Sequence, residues 1–467
     1  MSDFSGGVHF GPNERVLVIG LGRSGRASVE VLAPRVGALW ATDEGERTRL
    51  QPTIDELAAR GVTFVDPAAL DDVLANVTVA VLSPGIPLNG ALVRRIQAAG
   101  VPVYSEVEVA YRICKAPIVA ITGTKGKTTT TALIGEIFRR AGKRTFVGGN
   151  IGNALINETA AAEPNDWVIA EVSSFQLESI RSFKPKISCI INITPDHLDR
   201  YHSMEEYAEA KFRIFTNQGP GDTFVGNLDD PIVASATGDE GNRIRARVLW
   251  YSSTPNRNAT LYLRDGTSII YAPPTGDPRH VELMRVESIP LRGVHNVENV
   301  MAAMLVGLAA GLEPAVIVDA VKHFKALHHR LETVEDRDGI LWIDDSKATN
   351  PGSVMAALRS FDRPIVLIAG GKAKGTDFAE MGREIAERAK AAILIGEAAD
   401  DIAATIVGPQ IVRATSMADA VAQARVLASM GDVVLLSPGC ASFDMFASAE
   451  ARGEEFAAAV REGLHAR

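Results

Sequence analysis

The 467-residue chain is short of several things, and each shortage excludes a class of protein. It has only 3 cysteines, Cys114, Cys189 and Cys440, odd in number and far apart. That excludes a disulfide framework and a CxxC-type zinc site, and leaves buried free thiols in a reducing compartment as the expectation. It has no long apolar run: the longest, Val300 to Leu312, is broken by glycine and falls short of the about 20 residues a membrane span needs. Met1 to Phe10 carries Asp3 and no apolar stretch, so no secretory signal and a cytoplasmic location are expected. Nor is there an excess of positive charge. Lys and Arg total 48 against 57 Asp and Glu, a net charge of -9, which argues against a broad electrostatic grip on nucleic acid or an anionic membrane. Any anionic ligand has to be held by a local site.

What the chain does have is length and alternation. With 46% hydrophobic residues and about 100–200 residues per domain, it has room for several cores. Short apolar runs ending in Gly, Ser or Asp alternate with Ala-rich stretches at helical period, the pattern of an α/β fold with parallel sheets. Expected strands are Val16–Ile19, Val79–Leu82, Ile118–Ile121, Trp167–Ala170, Ile187–Ile193, Ile365–Ala369, Ala392–Ile395 and Val433–Leu436. Between Ala234 and Pro290 the pattern turns irregular, which reads as antiparallel hairpins or a long surface excursion. Changes in composition near residues 105 and 327 suggest three domains, 1–105, 106–327 and 328–467.

Two glycine loops follow predicted strands. Ile118–Ile121 runs into Thr122-Gly123-Thr124-Lys125-Gly126-Lys127-Thr128-Thr129, and a helix is expected over Thr130–Arg140, closed by Gly142. Strand, glycine loop and helix make a phosphate site: backbone amides converge on oxygens, Lys127 reaches the outer phosphates, and the Thr128 hydroxyl joins a Mg²⁺ shell. The general pattern has four residues between its glycines, whereas here only Thr124 and Lys125 intervene. The second loop, Gly20-Leu21-Gly22-Arg23-Ser24-Gly25, follows Val16–Ile19, and Asp43 stands 18 residues after Gly25. This is the dinucleotide fingerprint, although its geometry suits any nucleotide diphosphate. Two loops suggest two nucleotide ligands, one of them ATP.

Two central strands deliver polar residues at their C-terminal ends, where ligands of parallel sheets bind. One ends in Glu171-Val172-Ser173-Ser174-Phe175-Gln176, the other in Thr194-Pro195-Asp196-His197-Leu198-Asp199-Arg200. Glu171 is a hard oxygen ligand suited to Mg²⁺, and His197 is a second ligand or a proton carrier. Either residue alone also reads as an ordinary strand-end polar group. Lys211, in Tyr207-Ala208-Glu209-Ala210-Lys211-Phe212, reads from its neighbours as one exposed helical lysine.

Taken in order, Gly123-Thr124-Lys125-Gly126-Lys127-Thr128, Gly148-Gly149-Asn150-Ile151-Gly152, Glu171-Val172-Ser173-Ser174-Phe175-Gln176-Leu177 and Asp196-His197-Leu198-Asp199-Arg200 precede three later motifs. These are Gly293-Val294-His295-Asn296-Val297-Glu298-Asn299, Asp345-Ser346-Lys347-Ala348-Thr349-Asn350 and Ser437-Pro438-Gly439-Cys440-Ala441-Ser442-Phe443-Asp444. The series resembles the Mur ligases, ATP-dependent amide-forming enzymes of peptidoglycan precursor synthesis, and within them the branch that adds D-glutamate. The resemblance runs from about residue 15 to residue 456.

That resemblance implies a Rossmann-like N-terminal domain for a UDP moiety, a central P-loop ATPase-type α/β domain, and a Rossmann-like C-terminal domain for the amino acid. It implies UDP-N-acetylmuramoyl-L-alanine and D-glutamate as substrates and ATP with two Mg²⁺; a monomer is the default expectation, and the charge balance leaves nucleic acid and membrane out. Arg23, Ser24, Asp43, Glu44, Gly85 and Asn150 would line the UDP-sugar substrate. Gly123 to Thr129, Asn296, Asn299, Arg330 and Asp345 would contact ATP, with Lys127 holding phosphates. Thr128, Glu171, His197 and Lys211, the last as a carbamate, would serve metal. Lys347, Thr349, Lys374, Ser442 and Phe443 would bind D-glutamate.

The chain departs from the family pattern at Lys372, where an Asp is often found, and at Ala449, where an aromatic often packs. Both bear on the amino-acid pocket and neither on the ATP machinery. Among other readings, an NAD-linked oxidoreductase accounts for Gly20 to Gly25 and Asp43 but not for Gly126-Lys127-Thr128. A non-catalytic P-loop regulator is disfavoured by the acidic balance. Another Mur ligase, or a folylpolyglutamate synthase-like enzyme, is set apart by Asp345-Ser346-Lys347-Ala348-Thr349-Asn350.

Overall fold

The computed structural model describes residues 10–150, 152–196, 200–237, 243–273, 280–291, 293–325, 328–373 and 376–462. Their strands form three sheets, each the centre of an α/β domain. In the N-terminal sheet β1 (Arg15–Ile19), β2 (Ala38–Thr42), β3 (Thr63–Phe64), β4 (Val79–Leu82) and β5 (Val103–Ser105) run parallel in the order β3-β2-β1-β4-β5. Every residue of Val16–Ile19 and Val79–Leu82 is buried, because helices cover both faces. The strand order turns at β1, so a crevice opens above the C-terminal ends of β1 and β4. Gly20–Ser24 and Ser83–Gly85 stand there.

The central sheet contains β6 (Ile118–Thr122), β7 (Thr145–Gly149), β8 (Trp167–Glu171), β9 (Ile187–Ile190), β10 (Thr223–Asn227), β11 (Arg247–Ser252), β12 (Leu261–Arg264), β13 (Ser268–Tyr271) and β14 (Val281–Arg285). Their order is β14-β13-β12-β11-β10-β9-β6-β8-β7. The strands through β12 are parallel, and β12-β13-β14 form the expected antiparallel excursion. The irregular stretch after Ala234 holds more than hairpins, since β11 extends the parallel sheet beside β10.

Two further expectations are corrected here. The strand expected over Ile187–Ile193 ends at Ile190, because the next residues leave the sheet to bond the glycine loop. The helix expected from Thr130 begins at Lys127, directly after a left-handed Gly126.

The third sheet has β15 (Glu332–Arg337), β16 (Ile340–Asp344), β17 (Ile365–Gly370), β18 (Ala389–Ile395), β19 (Gln410–Arg413) and β20 (Val433–Leu436) in the order β15-β16-β20-β17-β18-β19. Only β15 is antiparallel to its neighbour. The chain packs into two compact units. One holds the N-terminal and central sheets, through Ser288 together with Glu298–Phe324; the other holds the third sheet, Ile289–Val297 together with the chain from Lys325 onward.

Within the first unit one apolar cluster contains Val16 and Val79 of the N-terminal sheet with Ile118 and Val168 of the central sheet. Helix Glu106–Ile113 joins the two. Ser105 caps it, its Oγ accepting from the Glu108 amide at 3.3 Å. The Glu108 carboxylate accepts the amides of Arg181, Ser182 and Phe183 at 2.9 to 3.0 Å and pairs with Arg112. Cys189 and Cys440 are buried free thiols, whereas Cys114 is only half-buried. Among the described residues no helix is long and apolar enough to cross a membrane.

Candidate active site

The central glycine loop is shaped by two backbone positions that exclude side chains. Gly123 has φ +154° and Gly126 φ +81°, and a Cβ on Gly126 would fall 2.2 Å from Asn299 Oδ1. The buried amide of Asn299 thus lies against the loop. Lys127 Nζ turns back and donates to the carbonyls of Gly123 at 3.0 Å and Thr124 at 2.9 Å. Thr124 Oγ1 accepts from the Thr194 amide at 3.0 Å and lies 3.3 Å from Tyr207 Oη. Helix Lys127–Arg140 then directs its first-turn amides and positive dipole end toward the loop, as an anion site requires.

Glu171 ends β8, beside β6, and is 1% exposed. Its Oε1 accepts from Asn150 Nδ2 at 2.9 Å, while Oε2 is buried without a hydrogen-bond partner among the described residues. A buried carboxylate oxygen left so is costly unless a cation meets it. The donor set therefore fits Mg²⁺. Lys211 is also 1% exposed, not on the surface as its neighbours in sequence suggest. Its Nζ donates to the Gly123 carbonyl at 2.8 Å and stands 4.5 Å from the centre of the Tyr207 ring. Burial, with the nearby Lys127 charge, drives its pKa well below the usual lysine range, against a smaller opposing pull from Asp196. His197 lies outside the described residues.

The first glycine loop has the same economy. Gly20 has φ +85°, and a Cβ on Gly25 would fall 1.8 Å from the Gly20 carbonyl. Asp43 Oδ2 accepts from the Leu21 amide at 2.6 Å and Oδ1 from the Gly45 amide at 2.8 Å, so this carboxylate braces the loop. Ser24 is buried in the first turn of helix Arg23–Leu32; Glu44 is exposed; Gly85 faces open space. Arg23 reaches into the central domain, donating to the carbonyls of Gly149 at 3.4 Å and Asn150 at 3.3 Å.

In the second unit Asp345 follows β16 and is buried. Its Oδ2 accepts from Ser437 Oγ at 2.9 Å and its Oδ1 from the Leu331 amide at 3.3 Å. Burial pushes its pKa up to about 7, against that hydrogen bond and the Arg330 charge. Lys347 is ion-paired with Glu450, whose carboxyl is drawn down to about 2. Ser442 is buried, Thr349 exposed, and Phe443 67% exposed. Lys372 is exposed and its backbone bridges Ala441. Asn296 is buried at 7% exposure. Lys374 lies outside the described residues.

Arg452 is fully buried, and its acceptors are all neutral: Ser346 Oγ at 2.9 Å and the carbonyls of Ser346 at 2.8 Å, Cys440 at 3.2 Å and Ala441 at 3.5 Å. Burial lowers its pKa to about 10. Nearby, ligand-type atoms of His329, Glu332 and Asp344 lie within 4.8 Å of one another. They are tied internally: His329 Nδ1 is 2.6 Å from Asp344 Oδ2, the His329 amide donates to Glu332 Oε2 at 2.8 Å, and the Ser346 amide donates to Asp344 Oδ1 at 2.9 Å. This is a hydrogen-bonded brace for the left-handed backbone at His329 (φ +63°) and Leu331 (φ +47°).

Three family models match the chain in order along its length. Residues 14–105 match the MurD-like N-terminal domain of Mur ligases, residues 121–307 the Mur ligase middle domain, and residues 329–440 the Mur ligase glutamate ligase domain. The UDP-N-acetylmuramoylalanine–D-glutamate ligase of Pelotomaculum thermopropionicum is 43% identical over 95% of this chain and 96% of that protein. That of Thermoanaerobacter sp. strain X514 is 42% identical over 96% and 98%. The chain belongs to the Mur ligase family. Two solved structures share the fold at 18% identity and a TM-score of 0.59 each. They are a pseudomurein peptide ligase type C from Methanothermus fervidus, covering 96% of this chain and 100% of that one, and UDP-N-acetylmuramate-alanine ligase MurC from Thermotoga maritima, covering 97% and 100%.

In this Mur ligase the structure gathers Lys127, Lys211 and the Gly123 carbonyl at one point, with Asn299 over Gly126, and links Asn150 to both Arg23 and Glu171. Two residues escape the sequence reading. Asn192 reads as part of a strand, yet it bonds the glycine loop. Arg452 stands in no motif of the sequence, yet it ties Ser346 to Cys440. A Ser-Lys loop and a Ser-Pro-Gly-Cys loop do not reveal an arginine so distant in sequence.

Proposed function

We propose that this Mur ligase joins D-glutamate to UDP-N-acetylmuramoyl-L-alanine at the expense of ATP, in the cytoplasm and as a monomer. Supporting observations are the near full-length identity to D-glutamate ligases and a buried, unpartnered Glu171 oxygen in the strand next to the phosphate loop's own strand. The second of these carries the ATP-dependent chemistry, because it supplies an anion where a triphosphate needs its cation.

The carboxylate of the alanyl substrate attacks the γ-phosphorus of ATP and ADP leaves, giving an acyl phosphate. The neutral amine of D-glutamate adds to the activated carbonyl, loses a proton, and the tetrahedral intermediate expels phosphate. Mg²⁺, when bound, supplies charge neutralisation on the phosphates. Thr128, Glu171, His197 and carbamylated Lys211 would hold two such ions. Lys127 leaves the carbonyls of Gly123 and Thr124 to meet the phosphates; Gly123 to Thr129 enclose them, and Asn296, Asn299, Arg330 and Asp345 complete the ATP contacts.

Lys211 is suited to carbamylation. Burial that depresses the pKa of an amine favours its neutral form, whose nitrogen can attack carbon dioxide, form the N–C bond and shed a proton to leave an anionic oxygen ligand. Arg23, Ser24, Asp43, Glu44, Gly85 and Asn150 line the UDP-sugar, with domain edges near residues 105 and 327. Lys347, Thr349, Lys374, Ser442 and Phe443 take D-glutamate, whose carboxylates favour charge-assisted bonds. A heavy-oxygen label in the substrate's carboxylate tests the route: one labelled oxygen should emerge in phosphate, and only when D-glutamate is present. Release of unlabelled phosphate would refute the acyl phosphate.

A further inference from the structure

A glycine loop with only Thr124 and Lys125 between its glycines is too short to satisfy its own amides, and the structure shows what satisfies them. Beyond β9 the Ile191 amide still bonds the Thr122 carbonyl at 3.1 Å; the next residue, Asn192, turns onto the loop. Its Oδ1 accepts both the Thr124 amide at 3.1 Å and the Lys125 amide at 2.9 Å, while its Nδ2 donates to the Lys125 carbonyl at 3.1 Å. The Asn192 carbonyl shares the Thr124 amide at 3.0 Å. Only a carboxamide offers an acceptor for two amides and a donor for a carbonyl at this reach.

Asn192 is itself fixed from behind. Tyr251 Oη donates to the Ile191 carbonyl at 3.1 Å, and Asp230 Oδ2 accepts the Ile193 amide at 2.7 Å. Asp230 is held in turn, its Oδ1 accepting the amides of Ile232 and Val233 at 3.0 Å. The loop therefore enters its helix with two amides already committed and its left-handed Gly126 pre-set, so ordering it does not fall to the nucleotide.

We propose that Asn192 is a positioning residue that presets the shortened phosphate loop for nucleotide. The inference rests on the ATP reading of that loop. Its test uses the full-length protein and Mg²⁺-ADP, with no acceptor substrate. Wild type binds Mg²⁺-ADP, and Asn192→Ala weakens that binding by about tenfold or more, the scale of losing a few loop hydrogen bonds. KM for the UDP-sugar and for D-glutamate, and the thermal midpoint without ligand, stay at wild-type values. Amide hydrogen exchange at Lys125 is slow in wild type and fast in Asn192→Ala, whereas the Thr124 amide keeps the backbone carbonyl of residue 192. Asn192→Asp, which keeps the Oδ1 acceptor, restores slow exchange.

Unchanged ADP affinity or unchanged exchange in folded Asn192→Ala overturns the inference alone. So does a parallel loss of stability and of every KM, the mark of a merely structural residue. Failure of wild type to bind Mg²⁺-ADP overturns the ATP reading, and the inference with it.

Discussion

Asn150 holds Glu171 twice: its backbone amide donates to the Glu171 carbonyl at 2.9 Å and its side-chain amide to Glu171 Oε1 at 2.9 Å. The free oxygen, Oε2, is thereby aimed, and the Asn150 carbonyl receives Arg23 from the N-terminal domain. Asn150→Ala should therefore raise the Mg²⁺ concentration for half-maximal activity and lower kcat by about tenfold, the cost of one hydrogen bond to a charged group. A Mg²⁺ titration at saturating substrates checks this. An unchanged Mg²⁺ requirement would detach Asn150 from the metal ligand.

Gly126 admits no side chain. Gly126→Ala places a methyl on Asn299 Oδ1 at a φ of +81°, so nucleotide affinity should fall steeply. Adding Asn299→Ala removes the clash but not the backbone strain. A double-mutant cycle on ADP affinity should then show the second substitution costing less in the Gly126→Ala background than in wild type.

Lys211→Ala should cripple activity, with partial rescue by a short carboxylic acid that restores an oxygen near the metal. Added bicarbonate should raise the activity of carbon-dioxide-depleted wild type and leave Lys211→Ala unaffected. Full activity of Lys211→Ala would remove that lysine from the site.

Glu106 offers a pH test of the joint between the first two domains. Its Oε1 accepts the Ile156 amide at 2.6 Å and its Oε2 is buried without a hydrogen-bond partner among the described residues. Burial raises its pKa from 4.5 to about 7, against the Ile156 amide and the Arg23 charge. Between those values the folded chain holds a proton that the unfolded chain has lost, so this contribution to stability falls as pH rises through that window. By pH 8 the loss approaches roughly 3 kcal/mol at most. Glu106→Gln keeps the acceptor and cannot ionise. Its thermal midpoint relative to wild type should therefore climb from pH 5 to pH 8, and a difference independent of pH would contradict a buried proton at Glu106.

Arg452→Ala should leave the carbonyls of Ser346 and Cys440 unpaired in the interior, destabilising the second unit by about 3 kcal/mol. Arg452→Lys cannot span both loops and should recover little. Limited proteolysis and the KM for D-glutamate read the two consequences, since the Ser346 loop carries Lys347 and the Cys440 loop carries Ser442.

The legible parts of this chain are the local ones. β4 and β20 are unbroken apolar runs, β1 and β6 are so but for one end residue, and the two glycine loops announce themselves because positive φ and close approach demand glycine within a few residues. Lys211 is different: its helix has almost no one-sided pattern, and the Gly123 carbonyl it bonds lies 88 positions away in sequence. Asn192 sits in an apolar run that looks like strand to Ile193, and only the shortness of the facing loop explains why it leaves the sheet. Arg452 bonds residues 12 and 106 positions away, which no periodicity encodes.

The most direct measurement is phosphate release from ATP and Mg²⁺ with UDP-N-acetylmuramoyl-L-alanine, comparing D-glutamate with L-glutamate, L-alanine and meso-diaminopimelate. A D-glutamate ligase releases phosphate with D-glutamate and at background rate with the other three. Release that ignores D-glutamate, or that prefers another amino acid, would contradict the assignment.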